Sequence, residues 1–464
     1  MSSSVPERLA EIRAKAPVDG GWLVGGSVRD LLLGRPVTDI DLVVEDDPGG
    51  VARRLARSVG GTPFPLSEGH GAWRVVDSGH TIDVAGCRGT LEQDLARRDF
   101  TINAIAIPLA GGDPVDPSGG RSDLEAGVVR AVSDAVFDDD PLRLLRLPRI
   151  AHELGFEIEP ETARLAEARS GRAAEPSAER VFMEVRRLVG GERPAEALRQ
   201  VDALGVLEVV LPEIVPLRGC LQSEHHQLDV WEHTLHVVEA VADIGDHPGH
   251  YLPAHVERLL AELDAVVGDE MTARHALRLA ALFHDIRKPQ TRREVDGRIG
   301  FMGHDAQGAE AAAAILGRWK ASNDLIGFCR MLVREHLALG FSIPSRPLGL
   351  RLAHRYLKAT TPWPASSVTL SLADRLATRG PSSRLRHLRK HGETADEMLT
   401  LIDELERDAR PPLLRGDEIA AETGVAGPAI GRLVDLLAEE QAAGIVTTRE
   451  EAIGFVREQV PQDG

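Results

Sequence analysis

The hydrophobic period of this chain changes once, after about residue 108, and no single layer of structure can accommodate both parts. Up to Pro108, short alternating or apolar runs (GWLVGG, DIDLVVE, AWRVVD, TIDVAG, FTINAIAIPL) lie between turn residues and two helix-like stretches, SVRDLLLG and GVARRLARSV. That is the pattern of a small domain in which helices cover a mixed sheet. The Gly-, Pro- and Asp-rich GGDPVDPSGGRSD reads as a loop. Beyond it, apolar residues recur at helical spacing almost to the end, through DPLRLLRLPRIAHELGF, SAERVFMEVRRLVGG and PAEALRQVDALGVLEVV. A chain of 464 residues is too long for one core. The expected fold class is therefore α+β and multidomain. Its parts are a mixed-sheet head at 1–130, an all-α neck at 131–220, a histidine-rich helical domain at 221–395 and a helical tail at 396–464.

No apolar run approaches the length of a membrane-spanning helix. The leading MSSSVPERLAEIRAKAP is a polar lead into an amphipathic helix and lacks the apolar centre of a secretion signal. Cys87, Cys220 and Cys329 are too scattered for a disulfide framework or a zinc knuckle. A cytoplasmic protein without a membrane partner is expected, and nothing here speaks to oligomeric state. The formal net charge of -18 argues against indiscriminate coating of nucleic acid. It leaves room for a nucleic acid held by local arginine clusters, since arginine is nearly the only basic residue type and suits bidentate phosphate contacts.

The densest chemistry lies in GGSVRDLLLGRPVTDIDLVV, residues 25–44. On a strand, Asp39 and Asp41 project from the same face. Two such carboxylates repel unless a cation lies between them, and all-oxygen sites favour magnesium bridged to substrate phosphates. The Gly25-Gly26 turn offers backbone N–H groups to an anion, and Arg29 adds a charge nearby. Asp83 in TIDVAG would supply a third carboxylate if its strand lay beside DIDLVV. Taken alone, a DxD is more often a polar strand edge than a metal site.

The whole string is far more specific, and it resembles the signature of the class II tRNA nucleotidyltransferases, the CCA-adding enzymes and bacterial poly(A) polymerases. The resemblance implies a nucleotidyltransferase-fold head, two Mg2+ ions on Asp39 and Asp41, and the acceptor stem and 3′ end of tRNA as partner. It continues in LARRDFTINAIAI, where Arg98, Asp99 and Asn103 would hold the phosphates and ribose of the nucleotide. Next, DDDPLRLLRLPRIAHELGF is similar to the family's Asp-x-x-Arg motif and its following arginines, here Arg146 and Arg149. Asp140 and Arg143, three apart on an expected helix, would share a face. An Asp accepts from the amino group of cytosine or adenine, and an Arg donates to a ring acceptor. In the family, the residues matching this pair select CTP and ATP over UTP and GTP. Asp139 stands where the family usually has Glu. SAERVFMEVRRLVGGERP resembles the next motif, a helix framing the neck, where Arg180 would buttress the site.

One departure bears on which nucleotide is added. Between TIDVAG and DLARRDF lies only CRGTLEQ. Many CCA-adding members carry a longer flexible loop there that helps to reposition the site for the final adenosine, and CC-adding members are marked by a shortened one. The resemblance thus implies addition of CC from CTP, with little use of ATP.

In the second half, His233 (DVWEHTLHVVEAV), His284 and Asp285 (RLAALFHDIRKP) and Asp374 (LSLADRLAT) follow one another in the order of the HD phosphohydrolase superfamily. Imidazoles and carboxylates on facing helices can hold a divalent metal, Ni, Mn or Mg, that activates water against a phosphate ester. His304 and His336 fall where two-metal members carry further histidines. Arg287 replaces the Gly of the usual HD-x-Gly-Lys, which bears on catalysis rather than fold. A lone helical histidine is more often a packed residue than a ligand, but six candidates in this order reverse that balance. The tail, LLRGDEIAAETGVAGPAIGRLVDLL, looks like the family's C-terminal helical module, and a plain structural cap is an equal reading.

The expected protein is a CC-adding tRNA nucleotidyltransferase. Its rivals are A-adding, full CCA-adding or poly(A)-adding activity on the same residues, a phosphohydrolase with an RNA-binding head, and a non-catalytic RNA-binding protein. The intact DxD disfavours the last two, because a binding-only head has no need of a self-repelling pair.

Overall fold

In the computed structural model, residues 5–16, 18, 20–67, 71–76, 81–222, 227–378 and 385–460 are described. The SEHH stretch that opens the histidine-rich segment lies outside them. The chain packs into two compact units, residues 1–184 with 200–210, and residues 185–199 with 211–464.

The first unit begins with α1 (Val5–Lys15), β1 (Trp22–Val24), α2 (Gly26–Leu32), β2 (Asp39–Val44) and α3 (Pro48–Val59). After these come β3 (Thr62–Ser67), β4 (Ala72–Val76), β5 (Thr81–Gly86), α4 (Leu91–Leu95) and β6 (Ala106–Pro108). The six strands form one sheet in the order β3-β4-β5-β2-β1-β6. Only β2 and β5 run parallel; the other neighbours are antiparallel. That mixture matches the sequence, in which hairpin-like joins alternate with the α3 crossover between β2 and β3. Val51, Ala52, Leu55 and Ala56 form the buried stripe of α3 at helical spacing.

Helices complete this unit. Arg143–Leu154 and the part of Ala178–Gly190 up to Glu184 are joined by a buried ion pair, Arg149 Nε to Glu184 Oε2 at 2.5 Å, with side chains only 7% and 5% exposed. Arg149 also reaches Glu153 at 2.7 Å, one turn along its own helix.

The second unit is helical. Val230–Asp246, Ala273–Phe283, His304–Arg318, Asn323–Glu335 and Pro364–Ala377 pack against one another. Ala273–Phe283 is buried almost all round, as a central helix must be. The tail helices Gly416–Thr423, Pro428–Ala442 and Arg449–Glu458 enclose a cluster of their own, built on Leu414, Ile419, Leu433, Leu437, Val446 and Val456. Among the described residues no helix is long and apolar enough to cross a membrane.

The Arg149–Glu184 pair yields a stability prediction. Glu184→Ala leaves the guanidinium buried without its main counter-charge and should cost about 3–5 kcal/mol. Glu153→Ala, at a carboxylate 34% exposed, should cost less than about 1 kcal/mol. Urea midpoints measured at unchanged slope check both values.

Candidate active site and metal centre

β2 opens with Asp39 exposed and Asp41 half-buried on the same face. Parallel pairing with β5 sets Asp41 directly opposite Asp83, so the carboxylate of TIDVAG stands in the neighbouring strand. The turn ahead of α2 comes equally close. A Cβ on Gly25 would lie 3.0 Å from Asp41 Oδ2 and 3.0 Å from Arg98 Nη1, and the backbone there has φ +70°. Only glycine fits. Ser27, which no motif singles out, ties turn to strand. Its hydroxyl donates to the Asp39 carbonyl at 2.9 Å and accepts from the Asp41 N–H at 2.8 Å.

Burial and then Asp83 push the Asp41 carboxyl up to about 6, against the pull of Arg98 and with a smaller push from Asp39. Carboxylates that resist their own charge are what a divalent cation relieves, and oxygen donors suit magnesium. The residues present fit such an ion.

A cavity of about 280 Å³ opens beside Asp41. Gly25, Gly26, Arg98, Asp99, Asn103, Arg143 and Arg146 line it, together with Arg88, Asp94 and Arg97, to which no motif assigns a role. Asp99 is buried, accepting from the Phe100 N–H at 2.8 Å and from Asn103 Nδ2 at 3.0 Å, and it faces Arg146 at 3.5 Å. Burial works against its charge, yet Arg146, Asn103 and Phe100 hold Asp99 below the usual carboxylate range.

Asp39, Asp83, Arg29, Asp140 and Arg149 lie outside the cavity lining. Arg29 donates to Asn103 Oδ1 at 3.1 Å and grips both oxygens of Asp30, so it orients Asn103. Arg149 is engaged with Glu184 and Glu153.

Asp140 and Arg143 do not share a helical face, contrary to the expectation. Asp140 is followed by Pro141, and the residue before a proline is driven out of the α region. It is extended (φ -148°, ψ 101°), and the helix opens only at Arg143. Asp140 Oδ1 accepts from the Leu142 N–H at 3.2 Å, and Oδ2 accepts from Arg180 at 2.8 Å. Arg143 is held by the carbonyls of Val136 (3.1 Å) and Arg97 (2.7 Å).

The join from β5 to α4 is tied down along its length. The Cys87 N–H continues the strand ladder to the Val44 carbonyl at 2.8 Å, and the Arg88 N–H reaches Asp94 at 3.3 Å. Thr90 and Gln93 close a reciprocal capping box at the start of α4.

In the second unit the six expected ligands converge. His233, His284 and Asp374 form one group and Asp285, His304 and His336 another, each with ligand atoms within 4.8 Å of one another. His233 Nε2 lies 3.0 Å from Asp374 and 3.6 Å from Asp285, while His304 Nε2 is 3.3 Å from both Asp285 and His336 Nε2. Three rings are locked by the carbonyl three residues earlier: His284 Nδ1 on Ala281 (2.7 Å), His304 on Phe301 (2.6 Å) and His336 on Val333 (2.7 Å). Such locks fix the tautomer and turn the Nε2 lone pairs inward. Burial and then His284 push His336 down to about 4, which keeps it a neutral acceptor. Acceptors facing acceptors at these distances need a cation among them, and the donor set fits a divalent metal. Lys288 supplies one charge, at 2.6 Å from Asp285.

The strained charge on Asp41 sets a pH dependence. A carboxyl raised from 3.8 to about 6 stabilises the fold only while protonated, so its contribution is present below about pH 4 and lost as pH rises through about 6. In metal-free buffer Asp41→Asn should therefore be more stable than the parent at pH 7.5 by about 3 kcal/mol, with the gap closing toward pH 4. Added Mg2+ should raise the melting temperature of the parent more than that of the variant.

Three family models match the chain: the poly A polymerase head domain over residues 21–90 and 88–130, the probable RNA and SrmB-binding site of polymerase A over 155–217, and the HD domain over 230–379. The chain is 37% identical to an A-adding tRNA nucleotidyltransferase of Deinococcus radiodurans over 446 residues, 94% of this chain and 95% of that one. It is also 37% identical to a CC-adding tRNA nucleotidyltransferase of Thermus thermophilus over 445 residues, 93% and 92% of the two chains. A solved complex of a CCA-adding enzyme with CTP shares the fold at TM-score 0.65 and 20% identity, over 99% of both chains. With such identity along nearly the whole of its relatives, and an HD domain in its second half, this chain belongs to the tRNA nucleotidyltransferase family.

Proposed function

We propose that this enzyme adds CMP residues from CTP to the 3′ end of tRNA in the cytoplasm without a nucleic-acid template, releasing pyrophosphate. The observation that carries the reading is the meeting of Asp41 with the Gly25 turn beside an arginine-lined cavity, with Asp39 two residues earlier on the same strand face. The 3′-hydroxyl oxygen attacks the α-phosphorus, and the bond to the β-phosphate breaks in line. Two Mg2+ ions held by Asp39 and Asp41 would supply charge neutralisation at the triphosphate and lower the pKa of the attacking hydroxyl. The Gly25-Gly26 turn, Arg98 and Arg146 bind the phosphates, and Asn103, oriented by Arg29 and Asp99, binds the ribose.

Base choice falls to Asp140 and Arg143. Asp140 accepts from the exocyclic amino group of cytosine, and Arg143 donates to a ring acceptor. Uracil presents a carbonyl where cytosine presents its amino group, which a carboxylate rejects. Arg180 and the Val136 and Arg97 carbonyls hold these two side chains in orientation. The tied join between β5 and α4 supports restriction to CC, since it leaves no loop to lever the site toward adenine.

With tRNAs ending before CCA, after C and after CC, CTP should extend the first two and ATP should extend none efficiently. Asp41→Ala should abolish every addition while tRNA affinity stays nearly unchanged. Efficient incorporation of ATP onto tRNA ending in CC would move the assignment to full CCA-adding or to A-adding, the latter the activity named for the D. radiodurans relative.

For the helical unit we propose a metal-dependent phosphoesterase acting on 2′,3′-cyclic or 2′-phosphates, with Ni, Mn or Mg held by His233, His284, Asp285 and Asp374 and a second ion reached by His304 and His336. Asp285→Ala should remove this activity and spare nucleotide addition. A parent enzyme no more active than the variant with any of these metals would make the helical unit architectural, with Arg287 marking the loss.

A further inference from the structure

The ion pair between Arg74 and Asp83 has no part in the reading above. Arg74 on β4 lies opposite Asp83 on β5, which lies opposite Asp41 on β2, so the three residues form one row across adjacent strands. Arg74 donates from Nε to Asp83 Oδ1 at 2.7 Å and from Nη2 to Oδ2 at 2.8 Å, engaging both oxygens. The two side chains are 38% and 29% exposed, and an ion pair so placed is worth little to stability.

What the pair changes is charge and ligand supply. Asp39, Asp41 and Asp83 together carry three negative charges, and Arg74 reduces the sum to two. A carboxylate with both oxygens bound to one guanidinium is also withheld from a metal. We propose that Arg74 is a positioning residue that keeps Asp83 out of the ligand set and so limits how tightly the Asp39–Asp41 pair holds divalent ions. The assignment rests on the reading of Asp39 and Asp41 as metal ligands. Its benefit lies in turnover. Pyrophosphate would carry a cation away after each addition, and a site with three free carboxylates would hold that cation back.

The test is Mn2+ binding to the full-length protein without substrate, followed through the paramagnetic resonance of unbound Mn2+. Binding that is lost in Asp39→Asn/Asp41→Asn belongs to the head and is separated in this way from the histidine site. Arg74→Met should tighten the head sites by about tenfold, the scale of one elementary charge beside a partly exposed site. Arg74→Met/Asp83→Asn restores the net charge and should return affinity to within about twofold of the parent. Should Arg74→Met not fold, Arg74→Gln reads the same charge change. Head affinity unchanged on loss of Arg74, or tightened equally when Asp83 is already Asn, overturns the assignment while the metal reading stands. Mn2+ binding that survives intact in Asp39→Asn/Asp41→Asn overturns both.

Discussion

Asp41 is carried next to Asp83 by parallel strand pairing and pressed against the Gly25 turn, and the rest of the head is arranged around the cost of its charge. Burial and the neighbouring carboxylates raise its pKa to about 6, so it ionises at neutral pH against an electrostatic cost. The neighbouring groups answer that cost in different ways. Arg98 and Arg146 lower it through space, Arg74 cancels the charge of Asp83, and Ser27 fixes the strand so that the carboxylate cannot retreat. A divalent cation beside these carboxylates would offset that cost.

The helical unit meets the same electrostatic problem with different atoms. Its ligands are mainly imidazoles, three of them aimed by carbonyls of the preceding turn. Oxygen-only donors in the head favour hard, strongly hydrated ions, whereas a mixed nitrogen and oxygen set favours first-row transition metals. The two clusters therefore differ in the cation chemistry that their donor atoms suit.

Much of this was legible in the sequence because it is local. The period-2 runs became β2, β4 and β5, the helical runs became helices, and the DxD alternation placed two carboxylates on one face. What could not be read depends on which distant residues meet. Arg74 looks like any polar residue of AWRVVD until the register sets it opposite Asp83, and Glu184 looks like a surface charge until Arg149 is buried against it. Asp140 is a different kind of miss. The Asp-x-x-Arg spacing suggested a helical face, while Pro141 already argued for an extended residue at that point, and the backbone rule outweighed the spacing. The histidine order foretold convergence of the six ligands, but the carbonyl locks on their rings follow from helix geometry.

The tied join between β5 and α4 has a mechanical meaning. The backbone N–H groups of Cys87, Arg88 and Thr90 are hydrogen-bonded to Val44, to Asp94 and within the capping box. Such a link behaves as a short strut with little slack. A displacement of α4 would reach β5, and with it Asp83, through this link. The short join thus couples the α4 end of the cavity to the strand that carries Asp83.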